Sequence, residues 1–352
     1  MRHAGMDKTR TQENMNRMEP LRLHPVNNFD ALRLAAALAV LYSHQYPITG
    51  TTPPAWMNVA MVGGVAVMAF FVISGYLVTL SWFYQPRLWA FCAKRALRIW
   101  PALLTVVLLA TLVLGSSVTT LPLPDYFRHP MTWDYLHNLL LQTRFGLPGV
   151  FAGNTFPDTV NGSLWTIPIE VSCYAVLAAA GACGLLRFRW LWAAICAAYL
   201  LWFLTHKTVD LTGVMTHWWE FPAYFAFGSL IASFHQQFLQ RRALFAAIAC
   251  ACALTAYACG FSYSAILLFL PAVLLAVGTA SWPVLSQAGR FGDVSYGTYL
   301  YAFPIQQTVR LLAPDLGFTS SLAIVVMLTL VAGWLSWRLV EQPALRLKTR
   351  WQ

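Results

Sequence analysis

The sequence predicts an all-α membrane bundle of about ten transmembrane helices, with both termini on the cytoplasmic side. Three observations carry this. Of 352 residues, 58% are hydrophobic and only 10% are charged, against about 25% charged in a soluble domain. About ten stretches reach the roughly 20 mostly apolar residues that a span requires. The basic residues divide unevenly. With the N-terminus inside, all of the 23 Lys and Arg except Arg128, Arg144, Lys207 and Arg310 fall on the inner side. That is the positive-inside pattern for an even number of spans.

The net charge of +10 would suggest a nucleic-acid partner in a soluble protein. Here the charges sit in short loops, so they read as topology and no nucleic acid is expected. The seven cysteines fall in or beside apolar runs. Their spacing matches neither a zinc site nor a disulfide framework, so they are expected to be small packing residues, with no metal.

The expected organisation is a cytoplasmic tail over residues 1–28, a transmembrane domain over 29–342 and a cytoplasmic tail over 343–352. The candidate spans are 29–47, 59–81, 98–117, 164–186, 190–206, 216–234, 243–260, 263–282, 293–312 and 318–340. An outer loop, 118–163, carries Pro122, Pro124, Pro130, Pro148 and Pro157. A loop this long in a helical bundle is more often functional than idle. Within it, Trp133 to Leu141 is expected to form a short interfacial helix with its aromatic and leucine side chains toward lipid.

The first span, Asn28 to Pro47, reads NFDALRLAAALAVLYSHQYP. Arg33 and His44 are eleven positions apart, about three helical turns, so they share a face and lie roughly 16 Å apart along the axis. Arg33 then sits near the inner surface and His44 about halfway across. An ionisable group at that depth is costly and points to function by default. The competing account is a hydrogen-bonded packing histidine. Asp30 is three residues from Arg33 and within pairing reach.

The second span holds Phe70-Phe71-Val72-Ile73-Ser74-Gly75-Tyr76. Ser74-Gly75 in mid-helix permits either close helix packing or backbone access for a ligand. No glycine elbow surrounds Ser74, which argues against a hydrolase nucleophile. At the inner mouth of the third span, Arg95 and Arg98 share a face, with Pro101 expected in the helix's first turns. The pair reads either as a positive-inside anchor or as a bidentate fork for a phosphate-bearing ligand. The fourth span opens from outside with Ser163 as its expected N-cap and Glu170 deeper in. Glu170 has three open readings: orienting His44, binding a sugar hydroxyl, or pairing with a buried Arg or Tyr. His217-Trp218-Trp219-Glu220 opens the sixth span, its tryptophans reading as interface anchors.

Taken in order, these segments resemble the acyltransferase-3 family of integral membrane acyltransferases. The resemblance covers nearly the whole chain. It rests on Phe29-Asp30-Ala31-Leu32-Arg33 with His44, on Phe70-Phe71 with Ser74-Gly75-Tyr76, and on Arg95, Arg98 and Pro101. Ser163-Leu164-Trp165 with Glu170 and Tyr174, Ser295-Tyr296 with Tyr299-Leu300, and Glu341 with Pro343 complete it. One position departs: where many members carry a histidine shortly after Tyr299-Leu300, this chain reads Tyr301-Ala302-Phe303-Pro304. A mechanism with that second histidine is therefore not implied. With nine residues after Pro343, the chain resembles the stand-alone type.

The resemblance implies an O-acetyltransferase of the bacterial inner membrane, with acetyl-CoA as cytosolic donor. The implied acceptor is a hydroxyl of a surface glycan (O-antigen or exopolysaccharide) or of a lipid-linked oligosaccharide. In that reading His44, Glu170 and Asp30 are the catalytic residues, and His44 serves as general base or acyl relay. Arg95 and Arg98 hold CoA phosphates, Arg33 binds a CoA phosphate or holds Asp30, and Ser74 and Gly75 let the thioester arm pass between helices. The competing class is a transporter or flippase using the buried His and Glu as a proton relay.

Overall fold

The computed structural model describes residues 27–206 and 217–347. The expected terminal tails lie outside these residues, apart from 27–28 and 343–347, as does Lys207. The described chain is helical, and its single β-type pairing is an isolated antiparallel bridge between Thr119 and Val150.

In chain order the helices are α1 (Phe29–Thr49), α2 (Val59–Tyr84), α3 (Leu88–Leu108, continuing to Val118), α4 (Leu123–Arg128), α5 (Pro130–Asp134) and α6 (Thr166–Ala182). They continue with α7 (Arg189–His206), α8 (His217–Ser233), α9 (His235–Ala258), α10 (Ser262–Gly278), α11 (Ser295–Leu312) and α12 (Phe318–Ser336, continuing to Arg346). Every candidate span therefore falls on a helix. Four helices are long and apolar enough to cross a membrane by length and composition: Val59–Tyr84, Leu88–Val118, His235–Ala258 and Phe318–Arg346. The apolar α6 and α10 are each 17 residues long. Leu104, Leu109, Leu112 and Val113 of α3 and Met327, Leu328, Val331 and Trp334 of α12 are exposed. Bare apolar faces of this kind are what lipid covers.

The third span differs from expectation. Its helix begins at Leu88, so Arg95 and Arg98 lie two to three turns inside it, and Pro101 sits in its interior. Leu88, Trp89 and Phe91 extend the apolar run backwards past the basic cluster. Farther along, Leu109–Leu114 widens into a π-helix. Tyr126, from the outer loop, inserts there and donates its hydroxyl to the Thr111 carbonyl at 2.7 Å. A side chain entering the helical ladder is a recognised cause of such a bulge.

The described chain divides into two compact units, and the division falls within α2, α3 and α6 and after the first residue of α1. The first comprises residues 27–29, 69–91, 174–206 and 217–287. In it α7 packs on α8, and α9 on α10. Gly75 of α2 lies directly against α8: a Cβ there would overlap the Phe225 carbonyl oxygen, and one at Gly228 would overlap the Val72 carbonyl oxygen. Small residues let the two backbones meet. Close by, the Tyr76 hydroxyl is 2.6 Å from His235 Nδ1.

The second unit comprises residues 30–68, 92–173 and 288–347. α11 packs on α12, and Leu41, Ala302, Val309 and Val325 form a buried core cluster. The outer loop belongs to this unit and is itself packed. Tyr126, Tyr135 and Phe151 are buried within it. The expected interfacial helix appears as α5 followed by a 3-10 turn over Tyr135–Leu140. Trp133 and Leu140 face outward as expected, whereas Tyr135 and Asn138 face inward.

Candidate functional site

All the geometry below lies within the second unit. Its inner part is a ring of charges assembled from four segments. α1 contributes Asp30 and Arg33, α3 contributes Arg98, the turn before α11 contributes Asp293, and the end of α12 contributes Glu341. Arg98 is the centre: one guanidinium nitrogen is 2.7 Å from Asp293 Oδ2 and the other is 3.3 Å from Glu341 Oε2. Its guanidinium also lies over the Tyr296 ring, 5.3 Å from the centroid. Arg33 is 3.4 Å from the same Asp293 oxygen and 3.5 Å from Asp30.

Local sequence explains how Asp293 arrives there. Gly292 takes φ +98° and packs against the Trp337 indole. Few residues other than glycine tolerate that backbone. The turn hands Asp293 to Ser295, whose hydroxyl donates to Oδ1 at 2.5 Å. Burial pushes the Asp293 carboxyl up, but Arg98, Arg33 and the bonds from Ser295 outweigh it and hold it below its usual range. Glu341 is 1% exposed and accepts from the Ser336 hydroxyl at 3.0 Å.

The second part surrounds His44, three turns along α1. Its ring meets Phe303 edge-on, with centroids 5.2 Å apart. His44 Nδ1 is buried and has no hydrogen-bond partner among the described residues. The next residue, Gln45, accepts from Gln306 Nε2 at 2.8 Å and donates to the Ser321 hydroxyl at 3.0 Å. A buried polar strut thus joins α1, α11 and α12.

The end of the outer loop closes over the same face of α11. Gln307 Nε2 donates to the Phe156 and Thr159 carbonyls, and Asn154 donates to Gln307. Asn161 donates to the Leu300 carbonyl. The Tyr299 hydroxyl donates to the Ser163 carbonyl at 2.9 Å. Phe156 packs edge-on against Phe303, and Gly162 is so close that a Cβ would stand 2.6 Å from the Phe303 ring. Phe151 and Asp158 hold positive φ of 58° and 55° in this loop. For a bulky aromatic that is a strained backbone, of the kind that concentrates at functional sites.

The structure therefore gathers Asp30, Arg33 and Arg98 in one ring and sets His44 on the same helix as Arg33. Several expectations are corrected. Arg98 is gripped by two carboxylates and is not an open phosphate fork. Arg95 lies half-buried one turn earlier on the same helix. Ser163 does not cap α6, which starts at Thr166. Among the described residues His44 Nδ1 has no hydrogen-bond partner, so Glu170 does not bond it there. Gly75, in the first unit, packs against the α8 backbone, as the packing reading of Ser74-Gly75 expects.

Residue reasoning gave no role to Asp293, Gln306 or Phe303. The signal for Asp293 was present: only 13 acids occur in the chain, and this one stands two positions before Ser295-Tyr296. Among the described residues, no group of three or more His, Cys, Asp or Glu is arranged to hold a metal ion.

Comparison with known proteins agrees with this architecture. Residues 26–338 match the family described as the acyltransferase domain of the acyltransferase-3 type, and the chain belongs to that family of acyltransferase enzymes. It is 30% identical over 335 residues to an O-acetyl transferase of Shigella phage Sf6, covering 91% of this chain and 96% of the relative. It is also 34% identical over 168 residues to nodulation protein 10 of Rhizobium leguminosarum bv. viciae, covering 43% of each. No solved structure matches.

Proposed function

We propose that this protein is a multi-pass O-acetyltransferase of a bacterial inner membrane, with both termini cytoplasmic. It moves an acetyl group from acetyl-CoA to a hydroxyl of a surface glycan or its lipid-linked precursor. The observation that carries the reading is the buried, unpartnered Nδ1 of His44, held on the same helix as the charge ring at Arg33. In a lipid-embedded core an orphan polar atom is costly, and a substrate hydroxyl completes it. The phage relative named as an O-acetyl transferase supports the same chemistry.

In the proposed step, His44 Nδ1 takes the proton of the acceptor hydroxyl. The hydroxyl oxygen attacks the thioester carbonyl, the carbon–sulfur bond breaks, and the thiolate of CoA leaves with the proton from the imidazolium. General-base assistance of this type contributes about 10²–10⁴-fold. The ring of Arg33, Asp293, Arg98 and Glu341 holds α1, α3 and α12 in register, so that His44 keeps its place. Arg95 is assigned to the phosphates of the donor, and Glu170 to the acceptor side. Ser74 and Gly75 are reassigned to helix packing.

The test is acetate released by mild alkali from surface polysaccharide. A strain lacking the protein is complemented with wild type or with His44→Ala. Acetate is expected only with wild type, at equal membrane levels of the two proteins. Wild-type acetate with His44→Ala would remove His44 from the chemistry.

A further inference from the structure

Three buried polar atoms around one face of α11 lack hydrogen-bond partners among the described residues: His44 Nδ1, Gln306 Oε1 and Ser163 Oγ. Tyr299, Phe303 and Gln306 lie at i, i+4 and i+7 on that helix and so share a face. His44 touches Phe303. Gln306 bonds the residue after His44 and the Leu41 carbonyl one turn before it. Ser163 is tied to Tyr299 through its carbonyl, and its neighbour Gly162 abuts Phe303. The three orphans thus converge from α1, α11 and the outer loop on the surroundings of Phe303.

Their chemistry is specific. Gln306 is 1% exposed, and both N–H groups of its amide are used, one to the Leu41 carbonyl and one to Gln45 Oε1, at 2.9 and 2.8 Å. Reversing the amide would set its oxygen against two acceptors, so its orientation is fixed. Oε1 can only accept, and no described residue donates to it. His44 Nδ1, acting as base, likewise requires a donor. Ser163 is 1% exposed, and its hydroxyl can do either.

We infer that Gln306 and Ser163 form a second hydroxyl subsite beside His44, so that the acceptor is a molecule with at least two neighbouring hydroxyls. One gives its proton to His44 and is acylated. The other donates to Gln306 Oε1, with Ser163 Oγ completing the contact, and so determines which hydroxyl reacts. This rests on the acyl-transfer reading above. A site built to hydrogen-bond a hydroxyl discriminates strongly against an acceptor that lacks it or presents it elsewhere.

The experiment uses the full-length protein in nanodiscs, labelled acetyl-CoA, and polysaccharide purified from a strain lacking the protein as the acceptor probe. The rate is measured as a function of polysaccharide concentration, and the ester position is read by NMR. Ser163→Ala removes only a hydroxyl that makes no hydrogen bond among the described residues, so folding is expected to be spared. It is expected to raise the acceptor KM about tenfold, the scale of one hydrogen bond. Gln306→Leu is expected to do the same or more and to spread the ester over more than one hydroxyl. The KM for acetyl-CoA stays unchanged in both. A wild-type acceptor KM and a single ester position in Ser163→Ala, with His44→Ala inactive, would overturn the subsite and show that water alone fills it. Retained transfer in His44→Ala would instead overturn the reading beneath it. If Gln306→Leu fails to fold, Ser163→Ala decides alone.

Discussion

Asp293 and Arg98 are joined by the shortest ion pair in the charge ring, 2.7 Å between Oδ2 and a guanidinium nitrogen. The same carboxylate oxygen faces Arg33 at 3.4 Å. One acid thus holds the helix that carries His44 to the helix that carries the basic cluster. The side chains of Arg33 and Arg98 are each 20% exposed and that of Asp293 16%, so the pairing is shielded from water. Breaking a shielded pair by removing one partner is costly, because the other charge is left without compensation.

Asp293→Asn keeps an oxygen for the Ser295 hydroxyl and loses the charge. It is expected to lower stability by about 2 kcal/mol, read as an earlier midpoint in thermal unfolding of the detergent-solubilised protein. The pH dependence has a definite sign. The native carboxyl lies below its unfolded value, which is about 3.9. Its contribution is therefore complete above that pH and is lost as pH falls through the lower native value. The gap in melting temperature between wild type and Asp293→Asn should be constant from about pH 8 to pH 5, then shrink below about pH 4. A gap that widens in acid would contradict the pairing.

Arg98 and Glu341 provide a cycle that separates architecture from donor binding. Arg98→Ala leaves Glu341 buried without its cationic partner, with the Ser336 hydroxyl still donating to it, so a loss of about 3–5 kcal/mol and a sharp fall in folded protein are expected. Glu341→Gln in the same chain should restore part of that yield, since the orphaned charge is gone. Arg95→Ala should behave oppositely, with near-normal folding and a weakened dependence on acetyl-CoA. Equal loss of acetyl-CoA affinity in Arg95→Ala and in the rescued Arg98 double variant would return Arg98 to the phosphate role.

Gly75 was read from sequence as either a packing residue or a passage for a ligand, and its close approach to α8 supports packing. Gly75→Ala would drive a methyl group into the Phe225 carbonyl oxygen, a backbone atom that cannot swing aside. Folded, membrane-inserted protein is expected to fall several-fold, as judged by size-exclusion of a fluorescent fusion. A normal elution profile with lost transfer would argue for the passage instead.

How much was legible follows from what sequence periodicity can encode. The helical character of the apolar segments was visible because an apolar run is a one-dimensional signal, although only four of the described helices have the length and composition of a span. Arg33 and His44 were placed together because both lie on α1, where spacing is geometry. Asp30 and Arg33 were paired for the same reason. The partners of Arg98 were not legible, since Asp293 and Glu341 lie about 200 residues away or more and only folding brings them in. Arg98 looked open because its own helix supplies no acid. Gln306 was hidden for a related reason: a glutamine in an apolar helix carries no charge pattern, and its meaning appears only when its amide is oriented by Leu41 and Gln45. The start of α3 was misplaced because basic residues read as a boundary, although long cationic stems pack well along a helix flank.

Gln307, beside Gln306, points to the loop instead of to α1. Its amide holds the Phe156 and Thr159 carbonyls and receives Asn154, and it is fully buried. It is the principal rivet between α11 and the segment that closes over Phe303. Gln307→Ala removes those bonds without touching His44, Gln306 or the charge ring. Residues 154–159 should then open locally while the helices stay folded. Limited proteolysis of the purified protein is expected to gain a cleavage site near Phe156, with little change in melting temperature. Acetyl transfer should fall about tenfold through the acceptor side, because the loop that carries Ser163 is no longer held against α11. Unchanged protease resistance together with unchanged transfer would show that the loop is held elsewhere and that its strained backbone at Phe151 serves packing alone.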